Sequence, residues 1–388
     1  MSAKPSKWLL VLIVGLYLLL TVGYGVLNPL FEAPDEHHHF FTVTFIAENG
    51  RLPIADLQNE WQRQEAAQPP LYYLLGALLA APFETSQAQT EIWLNPHARL
   101  GDASALTNIN WAVHTANEAF PWQGSALAAH LLRGMSTVLG LGTLLCIYGS
   151  GRLLWPGRPE RALLATALVA FLPQFNFLHS AISNDPSLFF LASAALWQLL
   201  YIWLSGGGNG RFRSAQHGRS LLLGITVGLA ILSKNAGILL LLYAFLVLIL
   251  AWLKETPPAA RHSFDRLRSR SLIINLSLLL LPALLMGGWL WLRNWQLYQD
   301  ITAANMFVAF AGGDRQATLL QVLGEWRAIW PSLFALFGWF NLRPPPAVYW
   351  IWDAIVLTAL AGFVYGLLKN KNQRVTIEST EKTQTNLC

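Results

Sequence analysis

Three carboxylates and three imidazoles fall within Glu32-Ala33-Pro34-Asp35-Glu36-His37-His38-His39-Phe40, the densest run of ionisable groups in the chain. If Pro34 opens a helix, Asp35 and His39 lie four residues apart on one face, and Glu36 projects about 100° away. A carboxylate held there can take a proton from a hydroxyl as a general base. Asp35, Glu36 and His39 could instead share a divalent metal ion. The residues alone do not separate metal assistance from metal-free base catalysis. A purely structural role is also open, because acids favour a helix N-terminus through the macrodipole.

A second cluster, Ser183-Asn184-Asp185-Pro186, sits in a short connection between two apolar runs. Asn184 or Asp185 can cap a helix and Pro186 suits a first turn, yet Asp185 is also a second candidate catalytic acid. Lys234 interrupts a long apolar stretch, and Arg293-Asn294 and Arg133 lie at the ends of others. Each cation could snorkel to the interface. Grouped at one membrane depth, Lys234, Arg293 and Arg133, with Asn294 and Asn184, could bind a phosphate. Asp353 lies inside the last apolar run, where an ionisable group marks function by default. His97, His114, His130 and His179 have no ligand spacing. No Walker or Rossmann fingerprint appears, and the Gly206–Gly210 tract reads as a flexible loop. Cys146 and Cys388 are placed too differently to suggest a disulfide or a metal site.

The elements that must position these residues are membrane helices. Hydrophobic residues make up 54% of the chain and charged residues only 12%, which suits a bilayer rather than water. The positive balance therefore needs no nucleic-acid partner. Runs long enough to span a ~30 Å core are Trp8–Leu27, Ala126–Gly149, Arg161–His179, Pro186–Leu204, Leu272–Trp291 and Val348–Leu368. Ser220–Leu253 is too long for one span and reads as two antiparallel helices meeting at Lys234–Gly237. The expectation is an all-α membrane protein of about eight transmembrane helices, one polytopic domain over 1–368. The first outer loop, 28–124, carries short interfacial helices such as Leu71–Phe83, and a second outer segment covers 293–347 with an amphipathic run over Thr318–Phe340. With both termini cytoplasmic, 17 of the 26 Lys and Arg lie inside, although the outside segments are longer; the positive-inside rule therefore selects this orientation. The tail 369–388 is polar and is expected to be disordered in the cytoplasm. The outer loop is acidic, with eleven Asp and Glu against Arg51, Arg63 and Arg99.

In their order along the chain these residues resemble the GT-C superfamily of polytopic glycosyltransferases. That superfamily includes the dolichyl-phosphate-mannose protein mannosyltransferases, the aminoarabinose transferases and a related bacterial membrane family. Pro34-Asp35-Glu36 followed by His39-Phe40 resembles the acidic pair after the first helix. Gln68-Pro69-Pro70-Leu71-Tyr72-Tyr73 is similar to the Pro-Pro-Leu-Tyr segment of the first outer loop. Leu132-Arg133, Asn184-Asp185, Gly228-Leu229 through Lys234, and Arg293-Asn294 follow in family order. The resemblance implies a GT-C fold and a catalytic carboxylate at Asp35, with Glu36 and His39 beside it. It implies a polyprenyl-phosphate-linked sugar as donor, its phosphate held by Lys234 and Arg293. The acceptor would be a protein, lipid or glycan, and transfer would invert the sugar at the outer face of the plasma (inner cell) membrane. The chain is shorter than many members and lacks their large C-terminal outer domain. The rival readings are a lipid or solute carrier, whose charges would line a path, and an inactive scaffold of an envelope-assembly complex.

Overall fold

The computed structural model describes residues 4–59, 64–98, 110–205, 216–255, 270–310 and 317–385. Expectations for Gly206–Gly210, for the basic residues Arg211, Arg213, Arg261, Arg266 and Arg268, for the loop charges Glu60, Arg63, Arg99 and Asp102, and for Cys388 lie outside the described residues. Helix α1 (Lys4–Leu27) has 24 residues, about 36 Å of helix and enough to cross a bilayer. The first outer loop then folds as a layer of its own. It contains α2 (Glu36–Asn49), α3 (Leu71–Ala80), α4 (Ala88–Glu91) and a two-stranded antiparallel ribbon of β1 (Trp93–Leu94) and β2 (Ala112–Val113). The bundle continues with α5 (Gly124–Leu154), α6 (Pro159–Ala170), α7 (Pro173–His179), α8 (Asp185–Ser205), α9 (His217–Ser233), α10 (Gly237–Glu255) and α11 (Arg270–Tyr298). Short helices α12 (Ala304–Phe310), α13 (Leu319–Gly324) and α14 (Trp326–Ser332) precede α15 (Pro346–Thr385).

Among the described residues six helices, α1, α5, α8, α10, α11 and α15, are long and apolar enough to cross a membrane. The run Arg161–His179, expected to be one straight helix, is the pair α6 and α7, bent by 65°. Pro173 causes the bend: it offers no N–H to continue α6 and drives Leu172 to an extended ψ of 117°. Counting that pair as one span gives seven, and a total of about eight requires the 17-residue α9 to cross as well. The break between α9 and α10 falls at Lys234–Ala236, where a charge and an amide interrupt the apolar run. Gly237 makes the turn possible, since a Cβ there would lie 2.4 Å from the Ala230 carbonyl carbon. Helix α15 continues to Thr385, so the segment expected to be disordered from Lys369 is helical. No Gly or Pro follows Gly366 to stop a helix already nucleated in the preceding span.

Two cores hold the molecule. In the bundle, α9 packs on α11 closely enough that a Cβ on Gly224 would meet the Leu278 carbonyl oxygen at 2.5 Å, the small-residue approach common between membrane helices. Ser220 donates to Asn275 across the same seam (2.9 Å). At one end of the bundle, α2 and α3 pack on α5 through Phe40, Phe41, Val43, Tyr72, Tyr73 and Leu132. Helix α3 starts after Pro69-Pro70 as the sequence suggests, but it is more than an interfacial element. Tyr72, Tyr73 and Gly76 face inward while Leu74, Leu75, Leu78 and Leu79 face outward. The α9–α10 turn, the start of α8 and the end of α11 all meet this layer.

Candidate active site

The turn between α1 and α2 is organised by one ion pair. Arg133 on α5 donates from Nε to Glu36 Oε1 (2.8 Å) and from Nη2 to Glu36 Oε2 (2.7 Å). Its remaining N–H groups go to the carbonyls of Gly25 (2.7 Å), Asn28 (2.7 Å) and Pro29 (3.0 Å). A guanidinium has five N–H donors, so all of them are used. Glu36 also accepts the backbone N–H of Phe31 on Oε2 and of Ile182 on Oε1, both at 2.9 Å. The two side chains are 0% and 2% exposed. This geometry corrects two sequence-level assignments: the Glu36 carboxylate is saturated by structural donors, and Arg133 has no N–H left for a phosphate.

The clamp forces an unusual backbone. Phe31 and Asp35 have φ of 67° and 58° in the left-handed region, which a bulky residue such as Phe rarely enters. Such strain persists only where the surroundings over-determine it. Asp35 stands immediately before α2, yet its side chain makes no capping bond to that helix. Its half-buried carboxylate stands at the N-terminus of α2, in the turn that precedes it.

Across from it, Lys234 at the α9–α10 turn donates from Nζ to Asp185 Oδ1 (2.5 Å), with the two side chains 34% and 30% exposed. Beneath this pair Asn184 is fully buried and donates to Gln68 Oε1 (2.5 Å) and to the Ser233 carbonyl (3.2 Å). Its amide hydrogens tie the loop to the bundle, so a phosphate-binding role for Asn184 is not what its geometry provides. His39 Nδ1 lies 2.8 Å from the Tyr73 hydroxyl, and its Nε2 is 4.0 Å from Glu65 Oε1. Burial, then the positive charge of Lys234, then His38 push the His39 ring well below the ordinary imidazole range. Burial raises the Tyr73 phenol well above its ordinary value, and the charges of Glu65, Asp185 and Asp35 add to the shift. The His39–Tyr73 pair is thus a neutral bridge between the Asp35 turn and the Asp185–Lys234 pair.

Of the trio expected to be able to share a metal ion, Glu36 is paired with Arg133 and His39 Nδ1 with the Tyr73 hydroxyl. Among the described residues no three His, Cys, Asp or Glu side chains gather as a metal site. Arg293, at the end of α11, donates to the Pro53 carbonyl (2.6 Å) and lines a narrow recess with Glu65, Gln68 and Tyr73. It therefore borders the site through this recess, whose lining does not include Lys234. Asn294 is buried and donates to the Ile301 carbonyl (3.3 Å), closing the turn after α11 instead of facing a ligand. Asp353, which had no partner in the sequence reading, accepts the Trp330 indole N–H (2.7 Å).

Glu65 and Gln68 are site neighbours that sequence reasoning gave no role. Gln68 lay inside the Pro-Pro-Leu-Tyr segment, but nothing in the sequence singled out Glu65. Glu32 has a structural task as well. It accepts the backbone N–H groups of Trp111 (2.9 Å) and Ala112 (3.0 Å) and contacts His114 Nε2 (3.0 Å), fastening β2 over the site. The other ring nitrogen pairs with Glu118 (2.9 Å), and the hydrogen bonds that the ring donates to Glu118 and Glu32 raise His114 to about 9.

A family model described as "Dolichyl-phosphate-mannose-protein mannosyltransferase" matches residues 100–298. No curated protein matches. Among solved structures, the oligosaccharyltransferase of Archaeoglobus fulgidus tethered with an acceptor peptide is similar at 16% identity and a TM-score of 0.48, over 93% of this chain and 38% of that one. The same enzyme in complex with Zn and sulfate is similar at 15% identity and a TM-score of 0.42, over 91% of this chain and 43% of that one. The chain thus spans less than half the length of those structures. With more than half of its residues matched by the family model, the chain belongs to the dolichyl-phosphate-mannose-protein mannosyltransferase family, and its several apolar helices make it a multi-pass membrane protein.

Proposed function

We propose that this protein moves a sugar from a polyprenyl-phosphate donor to the hydroxyl of an acceptor protein, lipid or glycan, with inversion, at the outer face of the plasma (inner cell) membrane. In this reading Asp35 takes the hydroxyl proton and the acceptor oxygen forms its bond to the anomeric carbon. The bond from that carbon to the phosphate oxygen breaks, and polyprenyl phosphate leaves. One base and one displacement suffice, so no covalent sugar–enzyme intermediate is needed. Lys234 stabilises the charge that develops on the leaving phosphate, an electrostatic role for a fixed cation. Asp185 holds the ammonium in place until the phosphate shares it. Arg293 acts at longer range.

The observation that supports this reading most is the gathering of Asp35, Asp185 and Lys234, distant in sequence, around the neutral His39–Tyr73 bridge at one end of the bundle. The partial exposure of the Asp185–Lys234 pair supports access from that end. The excess of basic residues at the opposite end supports a cytoplasmic location for both termini. The test is transfer of radiolabelled sugar from a lipid-linked donor in membranes that contain the protein. Asp35→Asn should abolish transfer at unchanged protein level, and transfer retained by that variant would remove Asp35 from the chemistry.

A further inference from the structure

A second cavity lies away from the Asp35 turn. It is an apolar groove of about 640 Å³, with α8 as its floor and α5, α6 and α10 as its walls. Ile147, Leu154, Leu196, Trp203 and Leu246 supply much of its surface, and small residues such as Gly151 leave room along it. On α8 the lining runs from Ser193 to Trp203, about 15 Å at helical rise, and it begins about 12 Å below Asp185. That length matches one leaflet of a ~30 Å hydrocarbon core, the leaflet opposite the candidate active site.

The end of the groove at Trp203 carries charge. Lys254 sits 4.8 Å above the ring of Trp203, a lining residue. Arg152, flanked by the lining residues Gly151 and Leu154, lies 5.9 Å from the Tyr148 ring and donates to its hydroxyl (3.2 Å). Both side chains are exposed, and among the described residues neither has a carboxylate at ion-pair distance. Basic groups at the mouth of an apolar channel between helices recognise anionic lipid headgroups. Trp203 and Trp155 fit the interfacial depth at which such a headgroup rests.

We infer that this groove is a binding site for an anionic phospholipid of the leaflet opposite the active site, one acyl chain filling the groove and the phosphate resting between Arg152 and Lys254. The inference is independent of the sugar-transfer reading. Native mass spectrometry of the purified full chain with added phosphatidylglycerol or phosphatidylcholine of identical chains tests it. Wild type should retain phosphatidylglycerol preferentially, and the double variant Arg152→Gln/Lys254→Gln should lose about thirtyfold of that preference, as expected for two neutralised interfacial cations. Ala165→Trp, which fills the groove, should lower retention of both lipids. Should Ala165→Trp fail to fold, the double variant still decides, because its altered side chains are exposed. Equal retention of the two lipids by wild type, an undiminished preference in the double variant, or glycerol phosphate binding as well as the whole lipid would each overturn the site.

Discussion

Replacing Glu36 with Ala leaves the Arg133 guanidinium, 2% exposed, without its counter-ion and orphans the N–H groups of Phe31 and Ile182. Removing one partner of a buried pair costs about 3–5 kcal/mol. Each buried donor left unsatisfied adds about 1–3 kcal/mol where water cannot reach it. Glu36→Ala should therefore destabilise the protein by about 5 kcal/mol or more, a large share of the roughly 5–15 kcal/mol typical of a folded domain. Glu36→Gln keeps one carbonyl acceptor and should fall between Ala and wild type. Glu36→Met combined with Arg133→Met removes both buried charges and should recover part of the loss. Thermal unfolding of the purified variants in detergent, followed by tryptophan fluorescence, measures the series. A Glu36→Ala protein that melts with wild type but transfers no sugar would refute this reasoning and return Glu36 to the catalytic group.

Lys234→Gln should lower kcat/KM for a lipid-linked donor by about tenfold to a hundredfold, the range for losing a charged hydrogen bond, while the melting temperature changes little; steady-state kinetics and thermal unfolding measure the two. Tyr73→Phe removes the partner of His39 Nδ1 and should lower kcat while leaving donor KM near wild type, checked in the same assay. His114 has a folded-state value of about 9, above the ordinary 6.5, so its stabilising bonds to Glu118 and Glu32 are fully present below pH 6.5 and are lost as pH rises through about 9. Protection of β2 amides, relative to the intrinsic exchange rate at each pH, should fall across that window in wild type and stay constant in His114→Gln. Gly224→Ala places a Cβ 2.5 Å from the Leu278 carbonyl oxygen, and overpacking of this kind should cost about 1–3 kcal/mol, read as a lower melting temperature.

Much of the architecture could be read from local features, since each depends on residues close in sequence. Lys234-Asn235-Ala236 marks the break between α9 and α10 because a charge cannot sit in the middle of a span without cost. Pro69-Pro70 marks the start of α3. Pro173 carried enough information to place the bend at Leu172, but the apolar run around it read as a single span. Pairings distant in sequence were beyond reach. Glu36 and Arg133 are 97 residues apart, and only the fold shows that they consume one another's hydrogen-bonding capacity. Adjacent acids have the same local sequence whatever surrounds them, so only the fold separates Glu36, buried in the clamp, from the half-buried Asp35 beside it. The partners of Arg293 and Asn294 were hidden for a related reason. The position of these two residues at a helix end was legible, but the carbonyls of Pro53 and Ile301 that meet them were not.

The most direct test of the central claim is the release of free polyprenyl phosphate when purified protein is given a lipid-linked sugar and a hydroxyl acceptor. Release that matches sugar transferred, and that is lost in Asp35→Asn and depressed in Lys234→Gln, is the predicted result. No release from a folded wild-type protein across sugar donors and acceptors, or equal release from Asp35→Asn, would contradict it.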